Sequence, residues 1–250
     1  MTTQVKTKYG YYLYGIFPLP APKITNIEGL DKRAVNVEIV DGFALLYSEA
    51  QKKKYLASRR NLLNHERVLE EAMEAGYRNL LPLQFGLCVE RWEEVLDLLI
   101  TSRRDDLEEL LNKLSGYREV GVKLMWETEA EIEMLLQENP QLKAQRDSLV
   151  GRNLSLDETI KIGQAIESGI ENRKDEIIEA FQDSLDPLAK EVVENDCQIQ
   201  QMIFNAAYLI PWEKETEFSK KVEELDRRFE GRLRIRYNAF TAPFNFAKLD

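Results

Sequence analysis

The 250-residue chain is poor in the side chains that usually carry chemistry, with one histidine, His65, and two cysteines, Cys88 and Cys197. One imidazole and two distant thiols do not make a tetrahedral zinc site, and they leave little from which to build a poised acid–base pair or an activated nucleophile. No G-x-x-x-x-G-K-[ST], G-x-G-x-x-G or G-x-S-x-G pattern occurs, so no motif offers a phosphate cradle or a nucleophile elbow. Apolar runs fall short of the ~18 residues that a membrane helix needs. The opening MTTQVKTKYG lacks the apolar centre of a signal peptide. These absences predict a cytoplasmic protein that is not an enzyme and takes no metal or cofactor. They also predict that both thiols stay free, each buried in an apolar strand.

An excess of one sign of charge is missing everywhere except in the middle of the chain. Between Thr128 and Asp196 there are 17 acidic and 7 basic residues, whereas the remainder holds 27 of each. The whole net charge of −10 therefore sits on one segment, which predicts a helical unit with a solvated acidic face. Hydrophobic residues make up 44% of the chain, enough for a buried core without disulfide staples.

Apolar alternation marks strands at Tyr11 to Phe17, Val35 to Val40 and Phe43 to Tyr47. The second and third are joined by Asp41-Gly42, a hairpin signal. A helix through His65 follows, with Leu62, His65, Leu69, Ala72 and Met73 on one stripe and Gly76 placed to stop it. The run LLPLQFGLCV then reads as a strand that Pro82 confines to an edge. Arg91 to Leu114 is helical, with Trp92, Val95, Leu96, Leu99, Leu107, Leu110, Leu111 and Leu114 facing a core. This β-ββ-α-β-α order is close to a split βαβ arrangement.

A boundary near Ser115-Gly116 opens a second unit. Val120, Val122, Leu124 and Trp126 share one strand face. A strand through CQIQQMIFNAAYLI, a helix from about Trp212 to Phe229, and Leu233, Ile235, Tyr237 and Ala239 alternating with arginines complete it. Between its first two strands lies the acidic insertion, about 128–196. There Pro140 breaks one helix, Ser155 and Glu158 have capping-box spacing, and Ile166, Ile170, Ile177, Phe181 and Leu185 form a stripe. The fold expected is α+β: two ferredoxin-like (modified βαββαβ) units, 1–115 and 116–250, the second with a helical insertion.

The stretch Asn64 to Gly86, NHERVLEEAMEAGYRNLLPLQFG, resembles the gas vesicle accessory protein family GvpF/GvpL, in which a His-Glu-Arg helix leads into a Leu-Pro-hydrophobic-x-Phe-Gly strand. YYLYGIF, REVGVKLMW and the ending RLRIRYNAFTAPFNFAKLD are similar to that family's opening, middle and closing strands. The chain departs from the pattern at Gln84, where the family usually has arginine, and in lacking a glycine and a Trp-Pro pair in its tail. The resemblance implies an accessory protein, most similar to an F-type member, that works in gas vesicle assembly. It would bind the hydrophobic shell protein GvpA, limit its aggregation during nucleation, and reside at the gas vesicle after a cytoplasmic stage.

Tyr237, Phe240, Pro243, Phe244 and Phe246 are the candidate partner contact, since aromatics anchor interfaces. They are equally suited to a lid tucked on the core. The runner-up function is a nucleic-acid-binding or small-molecule-sensing module on the same fold, with Arg232, Arg234 and Arg236 facing phosphates. The overall acidity argues against nucleic acid. His65 shares its helix stripe with Leu69 and Ala72, and is expected to be a satisfied structural histidine.

Overall fold

The computed structural model describes residues 9–148 and 156–248. It has a mixed α/β fold with two antiparallel sheets and associated helices. The chain packs as two compact units: one takes 1–120, 209–213 and 239–250, the other 121–208 and 214–238. The division falls five residues beyond the expected boundary. The closing residues belong to the first unit, because Ala242 is fully buried in the same apolar cluster as Tyr12, Tyr14 and Leu69.

In the first unit, β1 (Gly10–Pro18) is the central strand of the order β2-β3-β1-β4, with β5 also paired to β1. Its near-continuous apolar sequence follows from burial on both faces. Tyr12, Tyr14 and Phe17 join a cluster with Val68, Leu69, Ala72 and Met73 of α1 (Arg59–Glu74). On the opposite face Tyr11 stacks on Trp92, ring centroids 4.3 Å apart, and meets Tyr47 edge-on. Trp92 opens α2 (Trp92–Val95), and a π turn at Leu96–Ile100 continues the helix into α3 (Thr101–Leu114).

The expected hairpin forms between β2 (Val35–Val40) and β3 (Phe43–Ala50), Asp41 and Gly42 both taking positive φ as a type I′ turn requires. Ser58 caps α1 by accepting from Asn61 N–H, and Gly76, φ +99°, follows its end. Leu62 is 42% exposed, so the buried stripe begins at His65 and includes Val68 instead.

The expected strand LLPLQFGLCV is two short pieces, β4 (Leu81–Pro82) and β5 (Cys88–Val89), both antiparallel to β1. Pro82 lies at the sheet edge, as its missing N–H demands. Between the pieces, Leu83 C=O and Gly86 N–H bond to side chains, which takes them out of the ladder. Gly10 passes β5 so closely that a Cβ there would lie 2.0 Å from Val89 O.

The second unit contains most of β6 (Tyr117–Trp126), α4 (Thr128–Glu138), α5 (Pro140–Asp147), α6 (Leu156–Leu185), β7 (Glu191–Glu194), most of β8 (Met202–Pro211), α7 (Glu215–Arg228) and most of β9 (Leu233–Thr241). The strand order is β7-β8-β6-β9. Pro140 ends α4 and starts α5, where Asn139 Oδ1 accepts from Leu142 N–H. The expected cap at Ser155 lies outside the described residues.

Within 128–196, β7 is a strand where only helices are expected, so this segment supplies an edge of the sheet. Cys197 is exposed in the irregular stretch between β7 and β8, not buried in a strand, while Cys88 is half-buried in β5. The stretch from Gln198 to Gln201, polar except for Ile199, leads through a turn into β8. Both thiols are free.

Ile177, Phe181 and Leu185 bury one stripe of α6, and Phe181 stacks on Phe229 at 5.9 Å. Asp157, Glu158, Glu167, Glu171, Asp175, Glu176, Glu179 and Asp183 are all exposed, so α6 has the solvated acidic face that the charge pattern predicts. One acid on α4 behaves differently. Glu131, 2% exposed, accepts from Arg232 Nε at 3.0 Å and Nη2 at 2.8 Å, and its Oε2 lies 3.3 Å from Arg173 Nη1.

This triad ties α4, α6 and the start of β9 together. Its desolvation cost makes it weak as net stabilisation, but removing the acid leaves two cations without their buried partner. Glu131→Ala should therefore lower unfolding free energy by about 3 kcal/mol in urea titrations, a loss typical of a broken buried pair. A change below roughly 0.5 kcal/mol, the size of an ordinary surface substitution, would contradict it.

Candidate functional site

His65 and the closing residues meet within the first unit. Helix α1 presents the imidazole between the rings of Tyr14 (centroids 5.4 Å) and Phe244 (6.1 Å), with Tyr12 and Phe85 edge-on at 5.7 and 5.8 Å. The side chain is 2% exposed. Its Nε2 lies 3.0 Å from Leu83 O, and its Nδ1 lies 2.9 Å from Tyr12 Oη.

A carbonyl only accepts, so Nε2 carries the proton and Nδ1 accepts from the tyrosine hydroxyl. Tyr12 Oη in turn accepts from Gly86 N–H at 3.0 Å. Burial lowers the imidazole pKa to about 4 and raises that of the Tyr12 phenol, which keeps both groups neutral. Every polar atom of the ring is spent on the fold. This agrees with the structural reading of His65 and offers no proton to a substrate at neutral pH.

The tail is held by a second buried group. Glu119 of β6 is 4% exposed, and its Oε2 and Oε1 accept from Asn245 N–H (2.9 Å) and Nδ2 (2.6 Å). Desolvation raises its pKa to about 7 in spite of these donors. Thr241 Oγ1 donates to Glu66 of α1 at 3.3 Å. Nearby, the Arg78 and Arg118 guanidinium groups lie 4.4 and 4.6 Å from the Trp212 ring centroid, and Arg118 also covers Phe240 at 5.0 Å.

The five candidate contact residues do not share one environment. Pro243 and Phe246 are buried, the latter 2% exposed under Lys113 Nζ. Phe240 and Phe244 are half-buried at the edge of the first unit's core. Tyr237 belongs to the second unit, where it stacks on Phe218 at 5.9 Å. Sequence reasoning missed Glu119, whose signal was a carboxylate beside the apolar positions of the strand REVGVKLMW. It also missed the part played by Tyr12 and Tyr14, visible only as a tyrosine-rich strand. Among the described residues no cluster of His, Cys, Asp or Glu is suited to a metal, and no helix is long and apolar enough to cross a membrane.

Residues 10–248 match the profile of the gas vesicle synthesis protein GvpL/GvpF family. The chain belongs to that family. Gas vesicle protein F of Nostoc sp. (strain PCC 7120) is 53% identical over 240 residues, covering 96% of this chain and 98% of the relative. Gas vesicle protein F of Microcystis aeruginosa (strain PCC 7806) is 52% identical, with the same coverage. The crystal structure of GvpF from Anabaena sp. PCC7120 superimposes with a TM-score of 0.84 at 50% identity, covering 96% of this chain and 97% of that one. GvpF from Microcystis aeruginosa gives 0.84 at 52% identity, with 96% and 100% covered. The GvpL/GvpF profile thus spans both the His65 helix and the closing tail, so the buried network is built from residues inside the family match.

The two buried titrating groups predict opposite pH trends. The unfolded state protonates His65 from about pH 6.5 downward, and the native state does so only near 4. The stability advantage of wild type over His65→Gln should therefore shrink as pH falls through that window. Glu119 binds its proton below about 7 when folded, against about 4.5 unfolded. The advantage over Glu119→Gln should thus grow as pH falls from 7 to 4.5, each trend amounting to about 3 kcal/mol at most. Melting temperatures from pH 4 to 8 check this, and parallel curves for all three proteins would refute it.

Proposed function

We propose that this protein serves gas vesicle assembly by binding the hydrophobic shell protein GvpA and limiting its aggregation before it is incorporated. The observation that carries the reading is family membership over nearly the whole chain, closing tail included. A role in gas vesicle formation follows from that membership. Its action is that of a binding protein, because the single imidazole is neutral, buried and fully bonded. A shell subunit with uncovered apolar surface and strand edges is prone to associate wrongly, and a partner that covers them removes the hazard.

The second unit's β-α-β-β-α-β order, with α4 to α6 filling the first crossover, supports its description as ferredoxin-like. The first unit departs further, since only a short turn at Leu30–Lys32 lies between β1 and β2.

For the contact, the tail divides into anchors and edges. Pro243 and Phe246 hold the tail in place, while Phe240 and Phe244 keep part of their rings accessible and are the residues assigned to GvpA. Tyr237 retains a place in the contact through its half-buried ring. Phe244→Ala should weaken binding to purified GvpA by roughly tenfold, about 1.4 kcal/mol, with a melting temperature near wild type. Phe246→Ala should instead lower the melting temperature. Wild-type binding by Phe244→Ala would remove the tail from the contact, and failure of the wild-type protein to bind GvpA at all would overturn the function.

A further inference from the structure

The last strand of the second unit is an open, cationic sheet edge. β9 is the terminal strand of the order β7-β8-β6-β9, so one of its sides has no strand neighbour among the described residues. From Leu233 to Asn238 it alternates strictly: Arg234, Arg236 and Asn238 are exposed, and Leu233, Ile235 and Tyr237 are half-buried. Arg232, just before it, is neutralised by Glu131. Arg234 and Arg236 have no ion-pair or hydrogen-bond partner among the described residues, in a chain whose net charge is −10. Leu233, Arg234 and Arg236 also line an open cleft of about 350 Å³, with Met125, Trp126 and Ile199 as its apolar walls. Ile199 is 50% exposed there.

We infer that the β9 edge is a docking site for an extended segment of a partner protein that alternates acidic and apolar side chains. A strand added to an open edge takes its affinity from main-chain hydrogen bonds and its specificity from alternate side chains. Residues opposite one another on a face sit about 4.5–5.5 Å apart, close enough to pair. The ligand's acids then meet Arg234 and Arg236 at the cleft, and its apolar side chains extend the Leu233 and Ile235 row on the opposite face of the strand. Two arginines on an edge strand also discourage pairing with cationic or purely apolar strands, so the same residues select the partner. Glu127 at the cleft adds to that selection by repelling an acid placed at its end. This inference concerns the second unit and does not depend on the GvpA contact proposed for the tail.

The test uses the full chain and a fluorescein-labelled peptide, Glu-Leu-Glu-Leu-Glu, read by anisotropy at low and moderate salt. Saturable binding that weakens with salt is expected. The exposed double variant R234E/R236E should melt like wild type and bind the peptide at least about tenfold more weakly. A peptide N-methylated at alternate amides, offered to the wild-type protein, should lose binding by a similar factor, because it keeps the charges and removes ladder donors. Equal binding of the methylated peptide, an unaffected charge-reversed variant, or no binding of the acidic peptide overturns the inference. So does a preference for a single-stranded oligonucleotide of equal charge, or salt-sensitive self-association that occupies the edge instead.

Discussion

The first unit depends on a neutral histidine that must be satisfied at both nitrogens. A buried imidazole offers one donor and one acceptor, and leaving either unmet costs about 1–3 kcal/mol. Here the donor goes to Leu83 O and the acceptor takes the Tyr12 hydroxyl, which itself caps Gly86 N–H. Those bonds join α1, the central strand and the sheet-edge segment through side chains where the backbone ladder lapses. Where the edge strand divides into β4 and β5, Leu83 C=O and Gly86 N–H bond to His65 and Tyr12, while Leu83 N–H and Leu87 C=O still bond to Tyr14 and Leu13 of β1. Phe244 then packs on the imidazole, and Glu119 fixes Asn245 one residue later.

Function divides from fold along the same line. In the first unit, His65, Tyr12, Tyr14 and Glu119 spend their buried polar groups on bonds within the fold. The surfaces proposed for recognition are the half-buried rings of Phe240 and Phe244 in one unit and the arginine-lined edge of β9 in the other. The chain belongs to a family of gas vesicle synthesis proteins, and both proposals place a protein partner on these surfaces.

Much of this was legible in the sequence, for physical reasons that differ by element. Strand β2 and the Asp41-Gly42 turn were readable because alternation and positive φ have local signatures. Helix α1 was readable from its period, although Leu62 was misplaced, since periodicity does not say where a neighbouring surface begins. β7 was hidden because Glu191-Val-Val-Glu194 is only four residues long and lies in an acidic, helix-rich segment. The division of the edge strand was invisible for a deeper reason. It goes with bonds between residues 18 and 74 positions apart, His65 to Leu83 and Tyr12 to Gly86, and no local pattern encodes them. The closing aromatics show the same limit. Composition marks Phe244 and Phe246 alike, and only packing tells the anchor from the edge.

Because His65 is the only histidine, nitrogen NMR of the uniformly labelled protein reports its tautomer with no assignment problem. The account predicts a neutral ring protonated at Nε2, unchanged from pH 7 down to about 5 and titrating near 4, with an Nε2–H slow to exchange. A ring that titrates near 6.5, the value of an exposed histidine, or one protonated at Nδ1 while the protein remains folded, would contradict it.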